Sequence, residues 1–180
     1  VGDCAGRGAD LFESMSAENI GAMILGAALA KRVGASTEVQ LGVMLFPLVA
    51  RAFGIVASVI GLFATKIREE QDPMHGLNRG YYLTSVLAAI GFFFATQWLL
   101  SPLTAEWWKF FVCGLIGIAT AQAFVYITQY YTEYKYRPVR SIAEASQTGP
   151  ATNIIAGMAV GLECTAIPVI VISVAIISSY

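Results

Sequence analysis

The sequence predicts an all-α fold, a polytopic transmembrane helix bundle in which five spanning helices form part of a larger bundle. The first observation is composition: 57% of the 180 residues are hydrophobic and 13% are charged, whereas about a quarter of the residues of a soluble domain are charged. The second is a mean hydropathy of +0.66. The third is a set of apolar runs that reach the roughly 20 residues needed to cross a bilayer.

Five segments are predicted to span the membrane, and together they make residues 1–180 part of one membrane domain. The first segment, 4–30, is apolar at its far end and charged at its near end. The other four are apolar throughout, namely 41–65, 81–100, 108–131 and 151–177. The runs are long and lack the alternation of barrel strands, so helices are the expected spanning elements.

Four connections join these segments. Three are short, as is usual in helix bundles, namely 31–40, 66–80 and 101–107. The connection 66–80 contains His75, expected to be a solvated loop residue, and Asn78, expected to cap the next helix because Asn is a favoured N-cap. The longer connection 132–150 is predicted to hold an amphipathic turn or two around Val139, Ile142 and Ala143.

The distribution of Lys and Arg predicts the orientation. The connections 66–80 and 132–150 hold six of these cations, whereas the opposite side holds Lys31, Arg32 and Lys109. Because positive residues favour the cytosolic side, residue 3 is expected on the cytosolic side. The protein is expected to cross the plasma (inner) membrane several times. The net charge of −1 gives no indication of a nucleic-acid partner.

The three cysteines indicate neither a disulfide framework nor a zinc site. Cys4, Cys113 and Cys164 are far apart and form no CxxC pair. They are expected to be buried free thiols.

The charged residues of the first segment share one helix face. At about 100° per residue, Asp10, Ser14, Arg7 and Glu18 all fall within about 60° of Asp3. Glu13 lies near −80°, about one turn deeper than Asp10. Charged groups in a membrane face a bundle interior or a water path. A column of carboxylates at increasing depth therefore suggests a cation route or proton relay, and the alternative is a structural network that pairs Asp10 with Arg7 and Glu18 with Lys31 or Arg32.

Three stretches carry a resemblance to a known family. They are GDCAGRGADLFES at 2–14, DPMHGLNRGYY at 72–82, and RPVRSIAEASQTGPATNIIAGMAVGLECTAIPVIVI at 137–172. They resemble segments of membrane-bound, ion-pumping inorganic pyrophosphatases, and the resemblance runs the full 180 residues. It implies a protein of about sixteen helices that cleaves pyrophosphate at the cytosolic face and exports H⁺, Na⁺ or both. This chain is then expected to be an internal segment, about the sixth to tenth helices.

The resemblance also implies site residues. Asp3 matches the last aspartate of a DNVGD motif that binds Mg²⁺ and pyrophosphate, Asp10 matches a transport aspartate, and Glu13 and Ser14 match ion-gate positions. Ala17 stands where plant-type members place the gate glutamate. The implied cofactor is Mg²⁺, with K⁺ in those members that depend on it, at a site outside this chain. The implied partners are pyrophosphate, H⁺ or Na⁺, lipid, the remaining helices of the polypeptide and a second copy in a homodimer.

Other readings remain open from the residues alone. A secondary transporter or channel with a carboxylate-lined path and no hydrolysis fits the same composition, and a structural membrane subunit fits it less well because of the aligned carboxylates. Arg51 and Glu163 lie in the middle of predicted spans and are expected to be paired structurally or to line a crevice.

Overall fold

The predicted all-α class is confirmed. The computed structural model describes residues 1–65 and 73–180, with the side chains of Pro73 and His75 not described. That part of the chain contains five long helices and one short one. They are α1 (Gly2–Arg32), α2 (Thr37–Ala64), α3 (Pro73–Leu100), α4 (Trp107–Thr132), α5 (Arg137–Ser146) and α6 (Pro150–Ser179).

Three details of the predicted connections are settled by these boundaries. The helix α3 begins at Pro73, so the prediction that Asn78 caps it is wrong: Asn78 lies inside α3, because Pro73 suits the first helical position and starts the helix earlier. His75 likewise falls in the first turn of α3. The amphipathic turn expected in 132–150 is the helix α5. Residues 66–72, the first part of the predicted connection 66–80, lie outside the described residues.

Four of the long helices are long and apolar enough to cross a membrane. They are Thr37–Ala64, Gly76–Leu100, the stretch Trp107–Ser146 that takes in α4 and α5, and Pro150–Ser179. The helix α1 is not among them, because its first half carries Asp3, Arg7, Asp10, Glu13 and Glu18. That α1 spans the membrane therefore stays a prediction.

The chain divides into two compact units, Val1–Phe111 and Val112–Tyr180, with the boundary inside α4. In the first unit, α2 and α3 are antiparallel neighbours that approach closely at glycines. A Cβ atom on Gly61 would overlap the Thr84 hydroxyl and lie 3.1 Å from the Gly80 carbonyl oxygen, and one on Gly91 would lie 2.7 Å from the Phe53 Cβ. Small residues let membrane helices pack backbone to backbone.

The helix α1 packs on α2 through its far end. Ala30 is fully buried with Val43 and Leu100 in a small apolar core. A Cβ on Gly26 would lie 3.1 Å from the Val43 carbonyl oxygen. The acidic half of α1, by contrast, is exposed at every residue from 1 to 15.

The close approach of helices does not occur at every glycine: a Cβ atom added at Gly2, Gly6, Gly157 or Gly161 would meet nothing within 4 Å in the described part of the chain. One sequence expectation needs correction. All three cysteines are free thiols, but Cys4 is exposed, and Cys113 and Cys164 are half-buried rather than buried.

The second unit contains the rest of α4, α5 and α6. The helix α5 packs on α6. The Thr152 hydroxyl, in the first turn of α6, donates a hydrogen bond to the Ala145 carbonyl at 3.0 Å. Gly149, with φ of 137°, makes the turn between the two helices, and Pro150 follows at the first helical position.

Candidate ion-path site on helix α1

The helix α1 places the predicted site residues on one continuous helix. Asp3 lies in the first turn of α1, and Asp10, Glu13 and Ser14 follow in the next turns without a break. With a rise of about 1.5 Å per residue, Asp3 and Asp10 are about 10 Å apart along the axis. Glu13 is three residues beyond Asp10, which makes the two carboxylates neighbours on the helix surface.

The ends of α1 carry charges that suit the helix dipole. Asp3 stands in the first turn, and Lys31 and Arg32 stand in the last. Negative side chains stabilise a helix N-terminus and positive ones its C-terminus, by about 0.3–1 kcal/mol each. The dipole therefore accounts for the charges at both ends but not for Asp10, Glu13 and Glu18 further along the helix.

The acidic face has no partner in the described part of the chain. Asp3, Arg7, Asp10, Glu13 and Glu18 are exposed. Within residues 1–65 and 73–180 the ion pairs join Lys109 with Glu106 and Lys135 with Glu133, so none involves α1. The alternative network, Asp10 with Arg7 and Glu18 with Lys31 or Arg32, is not formed.

The residues of this chain supply part of a magnesium site. Mg²⁺ prefers carboxylate oxygens and keeps several waters, usually with one or two carboxylates and substrate phosphates. Asp3 is an exposed carboxylate of the right chemistry at a helix end. No group of three or more His, Cys, Asp or Glu side chains that could hold a metal occurs among the described residues. Asp3 therefore fits as one ligand, and any further ligands come from other chain segments.

The two candidates in the apolar helices have different surroundings. Arg51 is half-buried in α2 and makes no ion pair with the described residues. Glu163 of α6 is exposed, and its carboxylate lies beside the Tyr131 hydroxyl near the end of α4. The expectation of a structural partner therefore agrees with the position of Glu163.

Two polar groups were missed by sequence reasoning. The Glu133 carboxylate is only 10% exposed, accepts a hydrogen bond from the Gln129 amide at 2.9 Å and pairs with Lys135 at 3.2 Å. The Asn153 side-chain oxygen is buried without a hydrogen-bond partner among the described residues. The i, i+4 spacing of Gln129 and Glu133 on a helix was a usable signal, whereas nothing local indicates the environment of Asn153.

Four long apolar helices, with a further helix that bears carboxylates without ion-pair partners among the described residues, are typical of a multi-pass membrane protein. Comparison with known proteins gives the family: the inorganic H⁺ pyrophosphatase family matches residues 1–180. The chain belongs to this family, as the sequence motifs predicted.

Three relatives illustrate the match. The K⁺-insensitive pyrophosphate-energized proton pump 2 of Moorella thermoacetica is 57% identical over all of this chain and 26% of its own length. The pyrophosphate-energized membrane proton pump 3 of Arabidopsis thaliana is 52% identical over all of this chain and 23% of its own length. A K⁺-stimulated pyrophosphate-energized sodium pump proposed in Clostridium tetani is 37% identical over 98% of this chain and 24% of its own length.

The chain thus spans about a quarter of the length of the curated relatives it matches. No solved structure matches it significantly.

Proposed function

We propose that this chain forms part of a pyrophosphate-energised proton pump, which hydrolyses Mg-pyrophosphate at the cytosolic face and exports H⁺ along the acidic face of α1. The observation that carries the proposal is the unpaired column of Asp3, Asp10 and Glu13 on one helix. The family and the names of the relatives give the class of reaction.

Asp3 is the proposed metal and substrate residue. Its carboxylate lies in the first turn of α1, where it can bind a hard cation that also binds phosphate oxygens. Bound Mg²⁺ would neutralise the pyrophosphate and stabilise the leaving phosphate. The role of Asp3 is to hold one side of that site at the mouth of the ion path.

Asp10, Glu13 and Ser14 are the proposed ion-transport residues. Two carboxylates one helical turn apart repel each other when both are ionised. A proton or cation held between them removes that repulsion, and the Ser14 hydroxyl adds a neutral oxygen beside it. Movement of α1 after hydrolysis would change how tightly this group holds its ion, and so couple the reaction to transport.

The cation dependence follows the relatives. The relative from Moorella thermoacetica and two others are named as K⁺-insensitive proton pumps. Their names favour H⁺ as the transported ion and an activity that does not depend on K⁺. A sodium pump is the second candidate, because a relative of 37% identity is named as one.

The membrane and the assembly are part of the same proposal. We place the protein in the plasma membrane with residue 3 in the cytosol, in agreement with the Lys and Arg distribution. The homodimer implied by the resemblance is also retained as a proposal. The rest of the metal site then comes from other helices of the full-length polypeptide.

The test uses the full-length polypeptide that contains this chain, expressed in inverted membrane vesicles. Mg-pyrophosphate is added with and without K⁺ and Na⁺, and phosphate release and acidification of the lumen are followed together. We expect hydrolysis with acidification and no requirement for K⁺.

The other outcomes separate the alternatives. Hydrolysis with ²²Na⁺ uptake and no acidification would overturn the proton assignment and make Glu13 and Ser14 part of a sodium site. No hydrolysis under any cation condition would overturn the enzyme and favour a secondary transporter or channel.

A further inference from the structure

Two contacts fix the alignment of α4 and α6 in the second unit. The Cys113 thiol lies 3.6 Å from the Ser179 carbonyl oxygen, and the Tyr131 hydroxyl lies beside the Glu163 carboxylate. The distance along α4 from Cys113 to Tyr131 is nearly the same as the distance along α6 from Glu163 to Ser179. The two helices are therefore antiparallel neighbours, with Tyr131 level with Glu163.

This alignment shows that α6 extends beyond the end of α4. The helix α4 ends at Thr132, next to Tyr131, whereas α6 begins at Pro150, well before Glu163. At about 1.5 Å per residue, about 20 Å of α6 lies past the end of α4. Because the stretch that contains α4 is a candidate span and Tyr is typical of the membrane–water interface, the last turn of α4, with Tyr130 and Tyr131, is expected near a membrane surface, at the level of Glu163.

The helix α5 lies beside this extension with its N-terminus toward the membrane. Its last turn meets the first turn of α6, since Thr152 donates to the Ala145 carbonyl. Its beginning meets the last turn of α4, since the Tyr136 and Tyr130 rings are 5.3 Å apart. The ten residues of α5 span about 15 Å, which is most of the length of the extension.

The membrane end of α5 carries exposed arginines. Arg137 and Arg140 are one turn apart, so they share a helix face, and both are exposed. Neither makes an ion pair in the described part of the chain, where Lys135 pairs with Glu133. Glu144, which faces the same side one turn further along, lies at the end of α5 away from the membrane.

We propose that Arg137 and Arg140 bind the phosphate of anionic lipid headgroups, so that α5 is an anchor on the membrane surface. One guanidinium group can donate two parallel hydrogen bonds to the oxygens of one phosphate. Exposed tyrosines at the same level, Tyr130 and Tyr134, are typical of the membrane–water interface. Charge and depth together favour a lipid headgroup over a soluble anion or an acidic protein.

The experiment measures binding of phosphatidylglycerol to the purified full-length protein in neutral detergent by native mass spectrometry. Each arginine near a charged membrane surface contributes about a fivefold change in binding. The double variant Arg137→Gln/Arg140→Gln is therefore expected to bind roughly 25-fold more weakly. The double variant Arg137→Lys/Arg140→Lys is expected to keep most of the affinity, because it keeps the charge.

The matched control is Lys31→Gln/Arg32→Gln, which removes the same charge from the last turn of α1. It is expected to leave the affinity unchanged. Rates of pyrophosphate hydrolysis for every variant report whether the protein is folded, and they are expected to stay at the wild-type value.

Three outcomes would overturn the proposal. One is unchanged affinity in the Gln double variant, and the second is an equal loss in the α1 control. The third is displacement of the lipid by inorganic phosphate at equal concentration, which would make this a soluble-anion site. Should the Gln variant fail to fold, the wild-type protein provides the test. Its affinity for phosphatidylglycerol is expected to decrease when the salt concentration is raised from about 50 to about 500 mM. An affinity that does not depend on salt would overturn the proposal.

Discussion

The acidic half of α1 and the pair of helices α2 and α3 lie in one unit but are built in opposite ways. In the pair, glycines bring the backbones together, and the Gly61 and Gly80 positions leave no room for a side chain. In the acidic half, residues 1–15 are exposed and the carboxylates have no partner among the described residues. The first arrangement stabilises the fold, and the second leaves charged groups available for ions.

The largest expected effect is at Asp3. In the full-length protein, Asp3→Asn should lower hydrolysis by about a hundredfold or more, because a group that stabilises transition-state charge is commonly worth that much. Glu18→Gln, with the same charge change on the same helix, is the control and should stay near the wild-type rate. Equal losses in both variants would show that the charge of α1 matters only for folding.

The next effect tests the helix pair. Gly61→Ala places a Cβ against the Thr84 side chain and the Gly80 carbonyl, and such overpacking costs about 1–3 kcal/mol. We expect a clearly lower midpoint of thermal unfolding in detergent.

Gly54→Ala is the matched control on the same helix, since a Cβ there meets nothing within 4 Å. It should be neutral or stabilising by up to about 1 kcal/mol. A Gly61→Ala protein as stable as the Gly54→Ala protein would contradict the close approach of α2 and α3.

A smaller effect is expected at Glu13. Glu13→Gln should leave hydrolysis largely intact and lower the number of protons moved per pyrophosphate, because the variant lacks one carboxylate of the proposed transport pair. Parallel measurement of phosphate release and acidification gives the ratio. An unchanged ratio would remove Glu13 from the ion path.

The smallest effect is expected at Glu163. This carboxylate has a hydroxyl partner, Tyr131, at the end of α4, and it is not on the acidic face of α1. Glu163→Gln should change the rates of both hydrolysis and pumping by no more than about twofold, because the loss of one polar contact at an exposed side chain has a small effect. Loss of pumping with retained hydrolysis would place Glu163 in a second ion path.

Much of the fold was predictable from hydropathy, because the apolar runs are long and α-helices satisfy their own backbone hydrogen bonds in lipid. The start of α3 was not predictable in this way, because the helix begins at Pro73, several residues before its apolar run starts. The surroundings of Glu163 were not predictable either. Its position in the middle of α6 does not show which side chain of the neighbouring helix lies beside it, and the structure places Tyr131 there.

The candidate site was predictable as a pattern and not as a complete site. The spacing of Asp3, Asp10, Glu13 and Ser14 determines their shared face on any helix, and α1 is continuous through them. What covers that face depends on residues far away in sequence. The same limit applies to the glycine contacts, because the sequence does not show which glycines face another helix, and the close approach occurs at Gly61 and Gly91.

The most direct test of the central claim, that one face of α1 links hydrolysis to ion transport, is the coupling ratio of the Asp10→Asn variant. Phosphate release and lumen acidification are measured in the same inverted vesicles, with Glu38→Gln beside it. We predict that Asp10→Asn loses coupled proton transport, whereas a Glu38→Gln control, which removes a carboxylate from the first turn of α2, keeps it. Full coupled transport by Asp10→Asn would show that this face of α1 does not link hydrolysis to transport.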